Sequence, residues 1–142
     1  MAKIMKKFLS LVLALTLAFT IAVLTACKKE PLVIKESDTY VVIKVETDKT
    51  DLTLASYMAS LEEYKDMFVI ESGMVVSING IENATDWSAC WMIYTDDYRE
   101  EFSNSAWGTI IYKDKTYNSS AFGAENQIVK NGSTYIFVYQ TF

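Results

Sequence analysis

The chain of 142 residues contains no histidine, a single proline and only two cysteines. Without histidine there is no imidazole to act as a general base near neutral pH. Ser–His and Cys–His nucleophile pairs are excluded, and so is the commonest zinc ligand. No EF-hand spacing and no phosphate-binding glycine loop is present. The acidic pairs Glu62-Glu63, Asp96-Asp97 and Glu100-Glu101 are adjacent in sequence. Adjacent side chains diverge on helices and strands, so these pairs read as solvated charge rather than as a two-carboxylate hydrolase site. The expectation is a protein that is not an enzyme and holds no metal or cofactor.

The two cysteines, Cys27 and Cys90, have different settings. The chain opens with Lys3, Lys6 and Lys7, followed by an apolar run from Phe8 to Leu24 and then by small residues. That is the order of a charged, an apolar and a cleavage region in an export signal. The run is near the lower limit of roughly 17 residues for a spanning helix. Leu24-Thr25-Ala26-Cys27 resembles the lipobox of bacterial lipoproteins. The resemblance implies cleavage after residue 26 and a diacylglyceryl group on Cys27. Each buried CH₂ of an acyl chain contributes about 0.8 kcal/mol, so two or three chains give a stable anchor. The expected location is the extracytoplasmic face of a cell membrane.

Removing residues 1–26 takes away three lysines and no acid, so the net charge goes from −5 to −8 over 116 residues. An acidic domain is a poor partner for nucleic acid or anionic lipid, which select basic patches. That length suits one domain. With Cys27 acylated, Cys90 has no disulfide partner and reads as a small buried apolar residue between Ala89 and Trp91. Residues 27–39 carry Pro31 and mixed charge and read as a tether. The folded domain is expected over 40–142.

Within it, Val41, Ile43 and Val45 alternate with Lys44 and Glu46, the pattern of a half-buried strand. Leu54, Met58 and Leu61 then recur at helical spacing, flanked by Tyr57 and Tyr64, with Thr50 or Asp51 as the cap. Turns are expected at Glu71-Ser72-Gly73, Asn79-Gly80, Lys113-Asp114-Lys115 and Asn131-Gly132. Strands are expected at Met74–Ile78, through "CWMIYT" ending at Asp96-Asp97, in a hairpin within "WGTIIYKDKTY", and over Thr134–Gln140. The last is apolar on both faces and so reads as central. One helix with five to seven strands makes an α+β fold with the helix on one sheet face.

The order of these elements, with "SGMVVSINGIEN", "WMIYTDD" and "VKNGSTYIFVY", resembles the C-terminal domain of transcobalamin and intrinsic factor and its stand-alone bacterial relatives. The resemblance runs over 40–142. It implies a β-grasp-like fold, a ubiquitin-type sheet wrapped on one helix, with an extra β-hairpin at Trp107–Tyr117. In the vitamin carriers this domain closes over one side of cobalamin. Carried over residue by residue, the ligand-binding positions are Ser72, Gly73, Met74 and Val75 on one stretch and Trp91, Met92, Ile93 and Tyr94 on the other. A glycine turn permits close approach, and aromatic side chains offer rigid apolar area. Met92 stands where the carriers have a glutamine, no histidine is available as a lower ligand to cobalt, and the carriers' second, helical domain has no counterpart. Trp91 suits a core position equally well. Trp87 and Trp107 lie in polar segments and are candidate surface aromatics. The functional expectation is a lipid-anchored domain that captures a corrinoid and passes it to a transporter or a second binding protein. The alternative is a module contacting another protein or a glycan.

Overall fold

The computed structural model describes residues 30–142; the signal segment, Cys27 and the start of the expected tether lie outside the described residues. Strand β1 (Val33–Ser37) and β2 (Tyr40–Lys44) form a hairpin, followed by helix α1 (Leu54–Ser60) and a 3-10 turn at Lys65–Met67. Next come β3 (Phe68–Glu71), β4 (Met74–Ile78) and the short β5 (Ile81–Glu82), and then β6 (Ala89–Thr95), β7 (Ser103–Tyr112), β8 (Lys115–Ser120) and β9 (Thr134–Thr141). The larger sheet has the order β1-β2-β9-β6-β8-β7 and the smaller one the order β3-β4-β5. Each strand pair is antiparallel. The fold is thus α+β in the broad sense, with β-structure dominant.

The first correction concerns residues 33–37, read above as tether. They pair with β2 in the register Val33↔Ile43, Ile34↔Val42 and Lys35↔Val41. Val33 is buried, and the Lys44 amide donates to the Leu32 carbonyl at 2.7 Å. The folded unit therefore begins before Tyr40. Only Val33 of β1 is fully covered, because an edge strand needs few apolar residues and carries charge outward.

The second correction concerns β2, which is covered on both faces: Val41, Val42 and Ile43 are all fully buried. The cover on the second face is the β7–β8 hairpin. The Tyr112 ring lies 5.9 Å from that of Tyr40, and its hydroxyl donates to the Glu36 carboxylate. Tyr117 joins Val42, Tyr94 and Ile136 in the cluster there. The hairpin thus lies across the sheet rather than only extending it. Strand β9 occupies the centre, between β2 and β6, as its apolar pattern predicts.

On the first face lie α1 and the smaller sheet. Leu54, Tyr57 and Met58 of α1 pack with Ile43, Ile78 and Phe137. Each such side chain contributes about 1.5–3 kcal/mol by leaving water. The cap is Thr53 rather than Thr50 or Asp51: its Oγ1 accepts from the Ser56 amide at 3.1 Å. Thr53 also bridges to Ile128, and the amides of Leu54 and Ala55 donate to the carbonyls of Gln127 and Ala124. Helix-end donors are thereby satisfied by a loop that only the tertiary fold brings near. The helix ends at Leu61, its half-buried C-cap, so that residue closes the stripe rather than extending it. The Tyr57 hydroxyl donates to the Lys44 carbonyl and accepts from the Glu46 amide, fastening α1 to the end of β2.

Candidate functional site

Two hairpin turns shape one wall of the candidate site. Ser72 (φ 49°) and Gly73 (φ 85°) join β3 to β4; Asn79 (φ 52°) and Gly80 (φ 78°) join β4 to β5. Positive φ at both central residues is the twist that two-residue hairpins need. The Gly73 carbonyl accepts from the Glu125 amide at 3.3 Å, holding the loop after β8 against the turn. The approach is so close that a Cβ on Gly123 would lie 2.4 Å from the Gly73 oxygen.

The other wall is an unpaired strand edge. Strand β9 pairs with β6 along its whole length, whereas β8 pairs with it only at Tyr94 and Thr95. Among the described residues, no strand pairs with the far edge of β6 from Ala89 to Ile93. The Asn83 side chain substitutes for part of that pairing. Its Nδ2 donates to the Val75 carbonyl at 3.0 Å, and its Oδ1 accepts from the Trp91 amide at 2.8 Å. One side-chain amide thus ties β4 to β6. The Ala84 amide adds a bond to the Ala89 carbonyl at 2.8 Å.

Between these walls lies a cleft of about 280 Å³, lined by Met74 and Val75 of β4, by Cys90–Ile93 of β6, by Ser119 and Ser120 at the end of β8 and by Ala121–Gly123 after it. Trp87 and Phe122, both about half exposed, also line it. Trp91 is buried: its Nε1 donates to the Ile81 carbonyl at 2.7 Å, and its ring meets Tyr139 edge-on at 5.4 Å. It is both core and cleft wall. Burial pushes the Cys90 thiol up, which keeps it protonated, and its Sγ lies 3.7 Å from the Met92 sulfur. The lining is therefore soft and apolar, with no activated nucleophile.

Of the eight positions expected from sequence, Met74, Val75, Trp91, Met92 and Ile93 meet in this cleft. Ser72 and Gly73 form the turn behind it. A side chain at Gly73 would face Glu125 and Asn126, so its φ, not ligand clearance, is what calls for glycine. Tyr94 lies on the opposite sheet face, packed with Val42 and Tyr117, its hydroxyl donating to Gln140 at 3.1 Å. Alternation along β6 requires this: Trp91 and Ile93 face the first cluster, while Met92 packs with Tyr94 toward the second and borders the cleft from the strand's edge. Asn83 and Phe122 were missed. Nothing marks Asn83 among the other turn-forming residues of its segment, and Phe122 comes from a distant loop.

A second and larger cavity, about 560 Å³, adjoins the first. Asp66, Glu71 and Glu82 line it, with Val69 and Met67, and it shares Asn83 and Trp87 with the cleft. Trp87 has φ 60°, which is unusual for a bulky residue. Its amide donates to the Ala84 carbonyl at 3.0 Å. Among the described residues no group of histidine, cysteine and acidic side chains is arranged to hold a metal ion. No protein family, curated protein or solved structure matches the chain.

Proposed function

We propose that the domain is a ligand-binding module, held outside the cytoplasm by a lipid on Cys27, that grips the edge of a broad, partly apolar ligand in the cleft between β4 and β6. The observation that carries this reading is the meeting of Met74-Val75 and Trp91–Ile93, separate in sequence, around one apolar cleft bridged by a single amide. A corrinoid, an apolar disc fringed by amides, has the matching chemistry. At about 280 Å³ the cleft lies just under the roughly 300–1,000 Å³ of sites that enclose a whole ligand. It therefore grips an edge, and a transporter or second binding protein covers the remainder. A β-grasp-like reading is supported by the layers, one helix against a sheet whose last strand is central. The likeness stops at that level, because β2 runs antiparallel to β9, where a ubiquitin-type sheet pairs its first and last strands in parallel. The apolar lining, with a thiol kept protonated by burial, supports a binding role for the cleft.

Absorbance titration of the protein with cobalamin tests the ligand. The expected affinity is micromolar or weaker, about −8 kcal/mol or less favourable, and it is lost in a Met74→Asp variant. No spectral change at millimolar cobalamin rejects the corrinoid.

A second reading rests on β7, the last strand of the larger sheet, where Trp107 and Ile111 are 62% and 76% exposed. Large apolar side chains on an edge strand suit a protein contact. Trp107→Ala weakening cell-surface association without altering cobalamin titration would favour that interaction module.

A further inference from the structure

The cleft and the acidic cavity adjoin as two lobes, because Trp87 and Asn83 line both. Three observations describe their chemistry. First, of the eight large apolar side chains exposed among the described residues, Val69, Met74, Trp87 and Phe122 line one lobe or the other. Exposed apolar area gathered at one concavity marks a contact surface. Second, the lobes differ in charge. The cleft has no ionisable side chain besides the Cys90 thiol. The other lobe has Asp66, Glu71 and Glu82 and no basic residue. None of the three carboxylates belongs to an ion pair within the described chain. Concave walls concentrate the field of such charges. Third, Trp87 stands at the junction, 54% exposed. An indole face is the best aromatic partner for a cation.

We infer that this groove takes an amphipathic organic cation: the apolar body lies in the cleft beside Met74 and Ile93, and the ammonium group lies on Trp87, facing the three carboxylates. The inference rests on the reading of the cleft as a ligand site, though not on that ligand's being a corrinoid. An anionic amphiphile would meet three like charges and is excluded. A bare cation would leave the apolar lobe wet and binds more weakly. Desolvation of the ammonium by the indole, together with charge complementarity, sets the preference.

The test uses calorimetry on the full chain with three probes: benzyltrimethylammonium, tetramethylammonium and phenylacetate. Benzyltrimethylammonium is expected to bind at least about tenfold more tightly than tetramethylammonium, and phenylacetate not to bind at millimolar concentration. Trp87→Ala should weaken benzyltrimethylammonium binding by about 3–30-fold, the range of an exposed to a desolvated cation–π contact. The double variant Glu71→Gln/Glu82→Gln should weaken it and flatten its salt dependence, while Trp107→Ala, outside the groove, should leave it unchanged. All substituted residues are on the surface or rim, and circular dichroism checks that each variant is folded. Equal binding of phenylacetate and the cation, or unchanged cation binding in Trp87→Ala, overturns the inference while leaving a ligand site in the cleft. Failure of all three probes overturns it outright, and cobalamin binding then shows whether the cleft itself is a site.

Discussion

Gly123→Ala is the sharpest probe of how the cleft is built. The added Cβ would lie 2.4 Å from the Gly73 carbonyl oxygen, 3.1 Å from its carbon and 3.5 Å from Met74 Cγ. Two of these atoms are backbone, so relief requires the loop after β8 to withdraw from the Ser72-Gly73 turn. Overpacking of this kind costs about 1–3 kcal/mol. The bond from Glu125 to Gly73, already long at 3.3 Å, breaks in the process, at a cost of about 0.5–1 kcal/mol. Against this, alanine restricts the unfolded chain, which stabilises by about 0.4–1 kcal/mol. The net expectation is a loss of about 1–3 kcal/mol. With a urea slope of about 1–3 kcal/mol per M, the midpoint falls by about 1 M and the slope stays unchanged. Gly132→Ala, at a turn with nothing within 4 Å of the new Cβ but φ 81°, reports the cost of backbone strain alone. A Gly123→Ala midpoint equal to or above that of wild type would refute the packing of this loop on Gly73, and with it the place of Ala121–Gly123 in the cleft lining.

Leu54→Ala should cost about 2–5 kcal/mol because Leu54 is fully buried. Leu61→Ala, at the half-buried C-cap, should cost clearly less, and equal midpoints in urea would show that the helix is placed wrongly. Asp96 and Asp97, read from sequence as solvated charge, both have buried, ion-paired side chains. Arg99→Ala should cost about 3 kcal/mol or more, since Asp97 is bonded to that guanidinium at 2.5–3.0 Å; Asp97→Asn/Arg99→Ala should recover part of the loss, and no recovery would refute the stranded-charge account. Burial holds the phenols of Tyr135 and Tyr117 above 10.0, and the Asp96 bond holds Lys115 above 10.5. Raised native values give stability that is present below the unfolded-state pKa and lost as pH rises through the native one, so thermal stability should fall above about pH 10, and less steeply in Tyr135→Phe. A melting temperature unchanged at pH 11 would contradict this.

What the sequence discloses here follows from where the information lies. The turns at Ser72-Gly73, Asn79-Gly80 and Lys113-Asp114 are legible because positive φ is a local demand, met by local residue types. Strand β9 is legible because burial on both faces leaves a run of apolar residues. Strand β1 is not, because an edge strand with one fully buried residue has the composition of a tether. The helix cap is obscured by competition: Thr50, Asp51 and Thr53 are all chemically able, and Thr53 is selected by its bridge to Ile128, 75 positions along the chain. The second burial of β2 is hidden for the same reason, since Tyr112 covers it from a hairpin far along the chain.

The site shows the same division. The resemblance read from the sequence points to two stretches, one at β4 and one on β6, but a stretch on a strand has two faces, and only the sheet register decides which face a cleft can use. Register places Trp91 and Ile93 on one face and Tyr94 on the other, so a contiguous motif becomes alternate positions. An open edge beside Ala89–Ile93 would ordinarily invite pairing with another strand. Here the Asn83 amide takes the Trp91 donor, while Trp87 and Phe122 stand in front of the edge. The same features that protect the edge from a strand leave a space for a smaller molecule: the bridge occupies one residue's width, and the rest is lined by Met74, Met92 and Ile93. Protection of a free β-edge and formation of the cleft are therefore one structural solution in this chain. That is why the candidate site lies at a break in strand pairing, while the continuous face of the sheet is spent on the core.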